Sequence, residues 1–208
     1  MSPGVSYGEL GPTHHSIEDI AWMRALDSLP IVLPADQAQT KEAVTWAANT
    51  IGPVFMRIGR FKVPSVSQGQ SPAFVPNKAM RIIDGNDITI IATGTLVSRA
   101  VAAAHQLKGE GISARVLNLS TVSPLDTAEI LLAAKETKAI ITAEESVTRG
   151  GVGGAIAEFV VQNHPVAMKL LGTDTFAPTG SVSYLLEHYG LTADSIVASA
   201  RELLKHGK

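Results

Sequence analysis

DITIIATGTLVSRAVAAAHQLKGEGISARVLNL, residues 87–119, sets the architecture of this chain. Asp87–Ala92 is a short apolar run rich in β-branched residues, the composition of a strand covered on both faces. Val97–Lys108 then carries apolar residues at helical spacing, and Ala114–Leu119 returns to a strand pattern. Strand, helix and strand in that order imply a parallel pair with a right-handed crossover. The pattern repeats downstream: a helix at Thr127–Lys135, a strand at Ala139–Ala143, a helix at Val152–Gln162 and a strand at Met168–Leu171. Two more helices are expected near Ser181–His188 and Thr192–Lys205. Such alternation specifies a mainly parallel sheet with helices on both faces. Met80–Asp84, just before Gly85-Asn86, is expected to add an edge strand by a hairpin.

Upstream the same grammar is cut short. Pro30–Leu33 reads as a strand, Asp36 with Gln39 opens a helix running to about Ile51, and Pro53–Ile58 is a strand ending at Gly59-Arg60. Two strands and two helices cannot bury both faces of a parallel sheet. Residues before about Val63 are therefore expected to need another polypeptide to complete their sheet. Val63–Asn77 (VPSVSQGQSPAFVPN) has the proline and serine content of a linker that packs little core. The expected division is an incomplete α/β segment at 1–63, a linker at 64–77 and a complete, mainly parallel α/β domain at 78–208.

With 45% hydrophobic and 17% charged residues over 208 positions, this is the composition of a well-buried globular protein. A formal net charge of -2 gives no electrostatic reason to expect nucleic acid or an anionic membrane as partner. There is no cysteine, so disulfides, thiolate chemistry and Cys-based zinc sites are excluded, which fits a cytoplasmic protein. MSPGVSYGELGP lacks the basic flank and apolar core of a signal peptide, and no apolar run approaches the roughly 20 residues that span a bilayer.

The candidate chemistry lies in GELGPTHHSIEDIAWMRAL, Gly8–Leu26. Gly8, Gly11 and Pro12 punctuate the backbone, and Ser16 followed by Asp19 is a capping-box pattern. Ile17, Ile20, Ala21, Met23, Arg24 and Leu26 recur at helical spacing, which puts His14 and His15 just outside a helix N-terminus. Spacing alone fits a surface loop with incidental histidines equally well.

The wording of this segment resembles a known family. Gly11-Pro12-Thr13-His14, Ile17–Ala21, Arg24-Ala25-Leu26, Pro34-Ala35-Asp36 and Gly52-Pro53-Val54 through Arg60 are similar to the pyrimidine-binding domain of transketolases. Ala114–Asp126, Thr142–Gly154 and Gly172–Tyr189 are similar to the C-terminal domain of the same family. The resemblance covers nearly the whole chain in order. It implies a thiamine-diphosphate-dependent enzyme that moves two-carbon ketol units between sugar phosphates of the pentose phosphate type. It further implies that thiamine diphosphate and Mg2+ are bound mainly by an N-terminal partner section, in a dimer or larger homo- or hetero-oligomer. Neither the acidic metal motif nor the thiamine-activating glutamate of the family is found in this sequence. The chain is thus expected to be inactive alone.

By position in the motif, His14 matches the family's substrate-contacting histidine, and an imidazole titrating near neutrality suits proton transfer. His15 stands where glutamine is frequent and ranks below it as a substrate-binding residue. Arg60 matches the sugar-phosphate site, where a guanidinium binds phosphate as a fork. Arg57, on the same strand, points to the opposite face by alternation. Leu10 replaces an acidic residue that helps hold a substrate hydroxyl, with Glu9 just ahead, so substrate choice is expected to differ.

Arg149–Gly154 (RGGVGG) also invites a dinucleotide-binding reading, with Asp174 about 20 residues on. Ile156 stands where the third glycine belongs, and the run is expected to follow Glu144-Glu145-Ser146 and a loop. The glycines better suit close approach at a helix start, with the two glutamates as hydrogen-bond acceptors beside it. Thr179, Gly180 and Ser181 read as another helix N-terminus. His105, His164, His188 and His206 lack metal-ligand spacing. The same architecture serves deoxyxylulose-phosphate synthases and 2-oxoacid dehydrogenase β-subunits, and a non-catalytic, dimer-stabilising module is the alternative from a different class.

Overall fold

The computed structural model describes residues 3–206; residues 1, 2, 207 and 208 and the side chain of His206 lie outside the described residues. Strands β3 (Met80–Ile83), β4 (Ile88–Ala92), β5 (Ala114–Asn118), β7 (Ala139–Val147) and β8 (Ala167–Thr173) form one sheet in the order β3-β5-β4-β7-β8. Its members β5, β4, β7 and β8 run parallel, and β3 lies antiparallel on β5. Side-chain alternation divides the core. Ile88, Ile90, Val116 and Ile141 face helices α3 (Val97–Gly109) and α7 (Ala193–His206), while Ile91, Leu117 and Ile140 face α4 (Thr127–Glu136) and α5 (Val152–Asn163). Alanines at 100, 103 and 104 let α3 approach the sheet closely.

Two expectations need correction. β3 is an edge strand but forms no hairpin with β4, because crossovers bring β5 and β7 onto both edges of β4, and β3 pairs with the outer edge of β5 instead. β7 continues four residues past Ala143, with Glu144, Glu145 and Ser146 inside the strand and buried. The polar run persists as strand because internal donors satisfy it, and the N–H of Val147 bonds the carbonyl of Ile17.

The remaining elements are α1 (Asp19–Met23), β1 (Ile31–Val32), α2 (Gln37–Ala48) and β2 (Phe55–Met56). β1 and β2 pair in parallel as expected. A strand from beyond the proline-rich stretch, β6 (Thr121–Ser123), adds antiparallel to the other edge of β1. The upstream segment therefore draws part of its missing sheet from this same chain, and β2 keeps an open, half-buried edge.

The stretch from Val63 to Asn77 packs more than its composition suggests. Phe74 is buried with Val32 and Ala43, and the amide of Gln39 donates to the carbonyl of Ala73 at 3.0 Å. Asp36 organises the junction. Its Oδ1 caps α2 through the N–H of Gln39, and its Oδ2 accepts from the N–H groups of Val66 and Ser67, each at 2.8 Å. Burial pulls its pKa upward, but the bonds from Gln39, Ser67 and Val66 outweigh this and hold it below the usual carboxylate value. A depressed carboxylate pKa contributes stability above the unfolded-state pKa of about 4, lost as pH falls through the folded value. Asp36→Ala is thus expected to cost about 1–3 kcal/mol at neutral pH. The difference from wild type should shrink in acid, measured by denaturant unfolding at pH 7 and pH 3.

Candidate functional site

The histidine segment is a loop pinned from three sides. Gly4 and Ser16 exchange backbone hydrogen bonds of 2.9 and 3.0 Å, closing it at the base. Inside it, Gly8–Leu10 and Pro12–His14 form two short 3-10 turns joined at Gly11, whose φ of 74° favours glycine. The third support comes from the segment before α6 (Val182–His188): the N–H of Gly180 bonds the carbonyl of Gly8 at 3.0 Å, and a Cβ on Gly11 would meet Thr179 Oγ1. Ser181 caps α6 as its sequence suggests, accepting from the N–H of Tyr184. The buttressing by Thr179 and Gly180 has no sequence signal, because it is a long-range contact between loops.

The helix after the histidines is not opened by Ser16. Glu18 occupies its N-cap, Ser16 is held in the bridge to Gly4, and Asp19 turns inward to Arg57. The capping-box expectation fails because a buried cation competes for Asp19. The strand expected over Pro53–Ile58 is only Phe55–Met56, so Arg57 and Arg60 both follow it in irregular backbone, Arg57 buried and Arg60 exposed. The Nε of Arg57 donates to Asp19 Oδ2 at 2.9 Å, and its Nη2 donates to the carbonyls of Ser16 (2.6 Å) and Glu145 (2.9 Å). It ties β2, the histidine loop and β7 together.

His14 is exposed, with Nδ1 2.9 Å from Thr13 Oγ1. Its ring stands edge-on to Tyr7 at 5.9 Å between centroids. Arg60 is exposed too, and its Cζ lies 3.7 Å from the centre of the same tyrosine ring. His14, Tyr7 and Arg60 therefore share one rim, although 46 positions separate His14 from Arg60 in the sequence. Leu10, 49% exposed, and the exposed Glu9 lie on the first 3-10 turn of this loop. His15 is turned inward, 5% exposed, with neither ring nitrogen hydrogen-bonded. Burial, and secondarily the neighbouring His14, lower its pKa, which favours the neutral imidazole.

Beside Arg60 lies a cavity of about 530 Å³ whose lining includes Lys41, Lys62, Phe61, Thr95 and Asp36. Behind the loop, a much smaller space of about 20 Å³ is bordered by Ser6, Arg57, Thr95 and Glu145, room for about one water molecule. Burial pushes the carboxyl of Glu145 upward in pKa, opposed by Arg57, the N–H of Val5 and Arg99. Burial lowers the pKa of Arg99 in turn, against the pull of Glu145.

The glycine run starts α5, with Gly151 at the N-cap. Glu144 already fills the place a phosphate would take: Oε2 accepts from the N–H of Val152 at 2.8 Å and Oε1 from that of Gly153 at 2.7 Å. Arg24 covers the outside by donating to the carbonyls of Gly150 (2.7 Å) and Gly151 (3.0 Å). These contacts exclude the dinucleotide reading and match the helix-start role expected of Glu144, whereas Glu145 turns to the histidine loop and accepts from the N–H of Val5 and the hydroxyl of Thr95. Among the described residues no group of three or more acidic or histidine side chains is placed to hold a metal ion, and no helix is long and apolar enough to cross a membrane.

Residues 77–196 match the family described as transketolase, C-terminal domain, and residues 1–65 match transketolase, pyrimidine binding domain. An apulose-4-phosphate transketolase subunit of Phocaeicola vulgatus is 41% identical over 99% of this chain and 66% of its own length. The 6-deoxy-6-sulfo-D-fructose transketolase subunit SqwH of a Clostridium species is 38% identical over 97% of this chain and 62% of its own length. A solved split gene transketolase, an inactive beta4 tetramer, superimposes with a TM-score of 0.89 at 38% identity, covering 95% of this chain and 65% of that one. The chain thus spans about two thirds or less of the length of these relatives.

Proposed function

Because the chain belongs to the transketolase family, carrying the end of the pyrimidine-binding domain and the C-terminal domain, we propose that it is the C-terminal section of a split ketol-transferring enzyme. In this proposal residues 1–63 and 78–208 are the two domain parts, joined through 64–77. The substrates are phosphorylated sugars of the pentose phosphate type, and the assembly works in the cytoplasm as a dimer of such pairs. The observation that carries the reading is the shared rim of His14 and Arg60, a proton-transfer group and a phosphate-binding fork mounted on one tyrosine.

The residues present do not by themselves fit a diphosphate cofactor. A diphosphate held through Mg2+ needs acidic ligands, and among the described residues no group of three or more acidic or histidine side chains is placed to hold a metal ion. Thiamine diphosphate and Mg2+ are therefore assigned mainly to an N-terminal partner section. When bound, the cofactor supplies the electron sink for cleaving the bond beside the ketose carbonyl. This chain's part is narrower. His14 holds and moves a proton at a hydroxyl of the sugar, and Arg60 fixes the far end by gripping the phosphate. His15, neutral and buried, stands behind His14 as a secondary candidate. Leu10 offers no hydrogen-bond acceptor, so hydroxyl patterns that need an acid there are disfavoured.

The inactive beta4 tetramer formed by a similar chain supports dependence on a partner. The test is a coupled ketol-transfer assay of the chain alone, its partner alone and the two mixed, with thiamine diphosphate and Mg2+. Transfer only in the mixture is expected. Decarboxylation of a 2-oxoacid in place of ketol transfer favours a deoxyxylulose-phosphate synthase or dehydrogenase-type subunit, and turnover by the chain alone overturns the split arrangement.

A further inference from the structure

Tyr7 joins the two polar groups of the rim but has no acid, base or phosphate-binding task of its own. Its ring face lies beneath the Arg60 guanidinium at 3.7 Å, and the ring stands edge-on to His14 with an interplanar angle of 67°. A guanidinium at that distance is attracted by the ring quadrupole. Among the described residues Arg60 enters no ion pair, whereas Arg24, Arg57, Arg81, Arg115 and Arg201 each hold a carboxylate. A free, long side chain otherwise spreads over many rotamers, so the aromatic face is what narrows its orientation.

Tyr7 is itself held firmly. Ser6 N–H bonds the carbonyl of Pro3, Leu10 N–H bonds the carbonyl of Tyr7 at 3.0 Å, and the loop base is closed by Gly4 and Ser16. The cavity Arg60 borders also carries Lys41 and Lys62. Its one acidic side chain, Asp36, is buried and occupied by the N–H groups of Gln39, Val66 and Ser67. The surroundings thus favour an anion, and no nearby carboxylate competes for the guanidinium.

We propose that Tyr7 is a positioning residue that sets selectivity for phosphorylated over unphosphorylated sugars by presenting Arg60 to the phosphate. The inference rests on the ketol-transfer reading above and deepens it. In the assembled enzyme, Tyr7→Leu should raise KM for a phosphorylated sugar by about 2- to 30-fold, the range of one cation–π contact. It should leave kcat within about twofold. KM for the same sugar without phosphate should not move, Tyr7→Phe should restore the wild-type ratio, and Arg60→Lys should behave like Tyr7→Leu because an ammonium lacks the planar face. Equal KM changes for both sugars, or none, overturn the role of Tyr7, provided that Arg60→Ala abolishes the phosphate preference. If Arg60→Ala leaves that preference intact, the assignment of Arg60 fails first and the Tyr7 proposal falls with it. Thermal unfolding of each variant separates a lost contact from a lost fold.

Discussion

Arg57→Ala is expected to remove about 3–5 kcal/mol of stability, the cost of breaking a buried ion pair from one side. Arg57 and Asp19 have side chains only 6% and 7% exposed, so the truncation leaves a carboxylate in a dry site without its cation. Asp19 Oδ1 is buried without a hydrogen-bond partner, so Arg57 at Oδ2 is what offsets the charge. The carbonyls of Ser16 and Glu145 lose the guanidinium at the same time, and Ser16 keeps the N–H of Gly4. The damage is directional. Ser16 closes the histidine loop and Glu145 sits on the central sheet, so the variant should loosen residues 4–16 before the sheet opens. Hydrogen exchange resolved by segment checks this: protection in the loop should fall further than protection in β4 and β5. Arg57→Lys should recover only part of the loss, because one ammonium cannot serve three acceptors in a fork's geometry. Removing both charges with Arg57→Met and Asp19→Asn together should cost less than Arg57→Ala alone. A loss under about 1 kcal/mol for Arg57→Ala would show that the clamp is a bystander.

Arg57 also marks where sequence reasoning stops. Alternation predicts Arg57 opposite Arg60, but the strand ends at Met56, and period-two logic in any case says nothing about what a buried side chain meets. The five-stranded sheet is legible from Ile88, Val116 and Ile141 because uninterrupted apolar runs admit one solution, burial between helix layers. The end of β7 is not, since Glu144-Glu145-Ser146 reads as a polar loop until the N–H groups of Val152 and Gly153 are seen to satisfy it. Ser16 and Asp19 form a valid local capping pattern that loses to a tertiary ion pair. Phe74 and β6 are hidden for a related reason: pairing between distant segments leaves no periodic trace in either one. For the rim, the motif Gly11–His14 locates one half and Arg60 the other. Their meeting across Tyr7 depends on a loop closed by Gly4 and Ser16 and braced by Gly180, contacts that only the folded chain brings together.

The same geometry separates chemistry from folding at His14. In the assembled enzyme His14→Ala is expected to lower kcat/KM for ketol transfer by about 10²- to 10⁴-fold, the usual contribution of a positioned proton-transfer group. Stability should stay within about 0.5 kcal/mol of wild type, because the side chain is exposed and its close polar neighbour is Thr13. His15→Ala should show the reverse balance: its buried ring fills space inside the loop, so the melting temperature falls while part of the turnover survives. The paired substitutions therefore discriminate between the adjacent histidines without any assumption about the sugar. His14→Gln adds a further distinction, since an amide can hold a hydroxyl but cannot carry a proton. If His14 only orients substrate, His14→Gln should retain most of kcat. If it moves the proton, His14→Gln should be nearly as slow as His14→Ala while its KM stays close to wild type. Less than about a tenfold loss for His14→Ala, with the partner saturating and the fold intact, would remove His14 from the chemistry and leave the rim as a surface for binding alone.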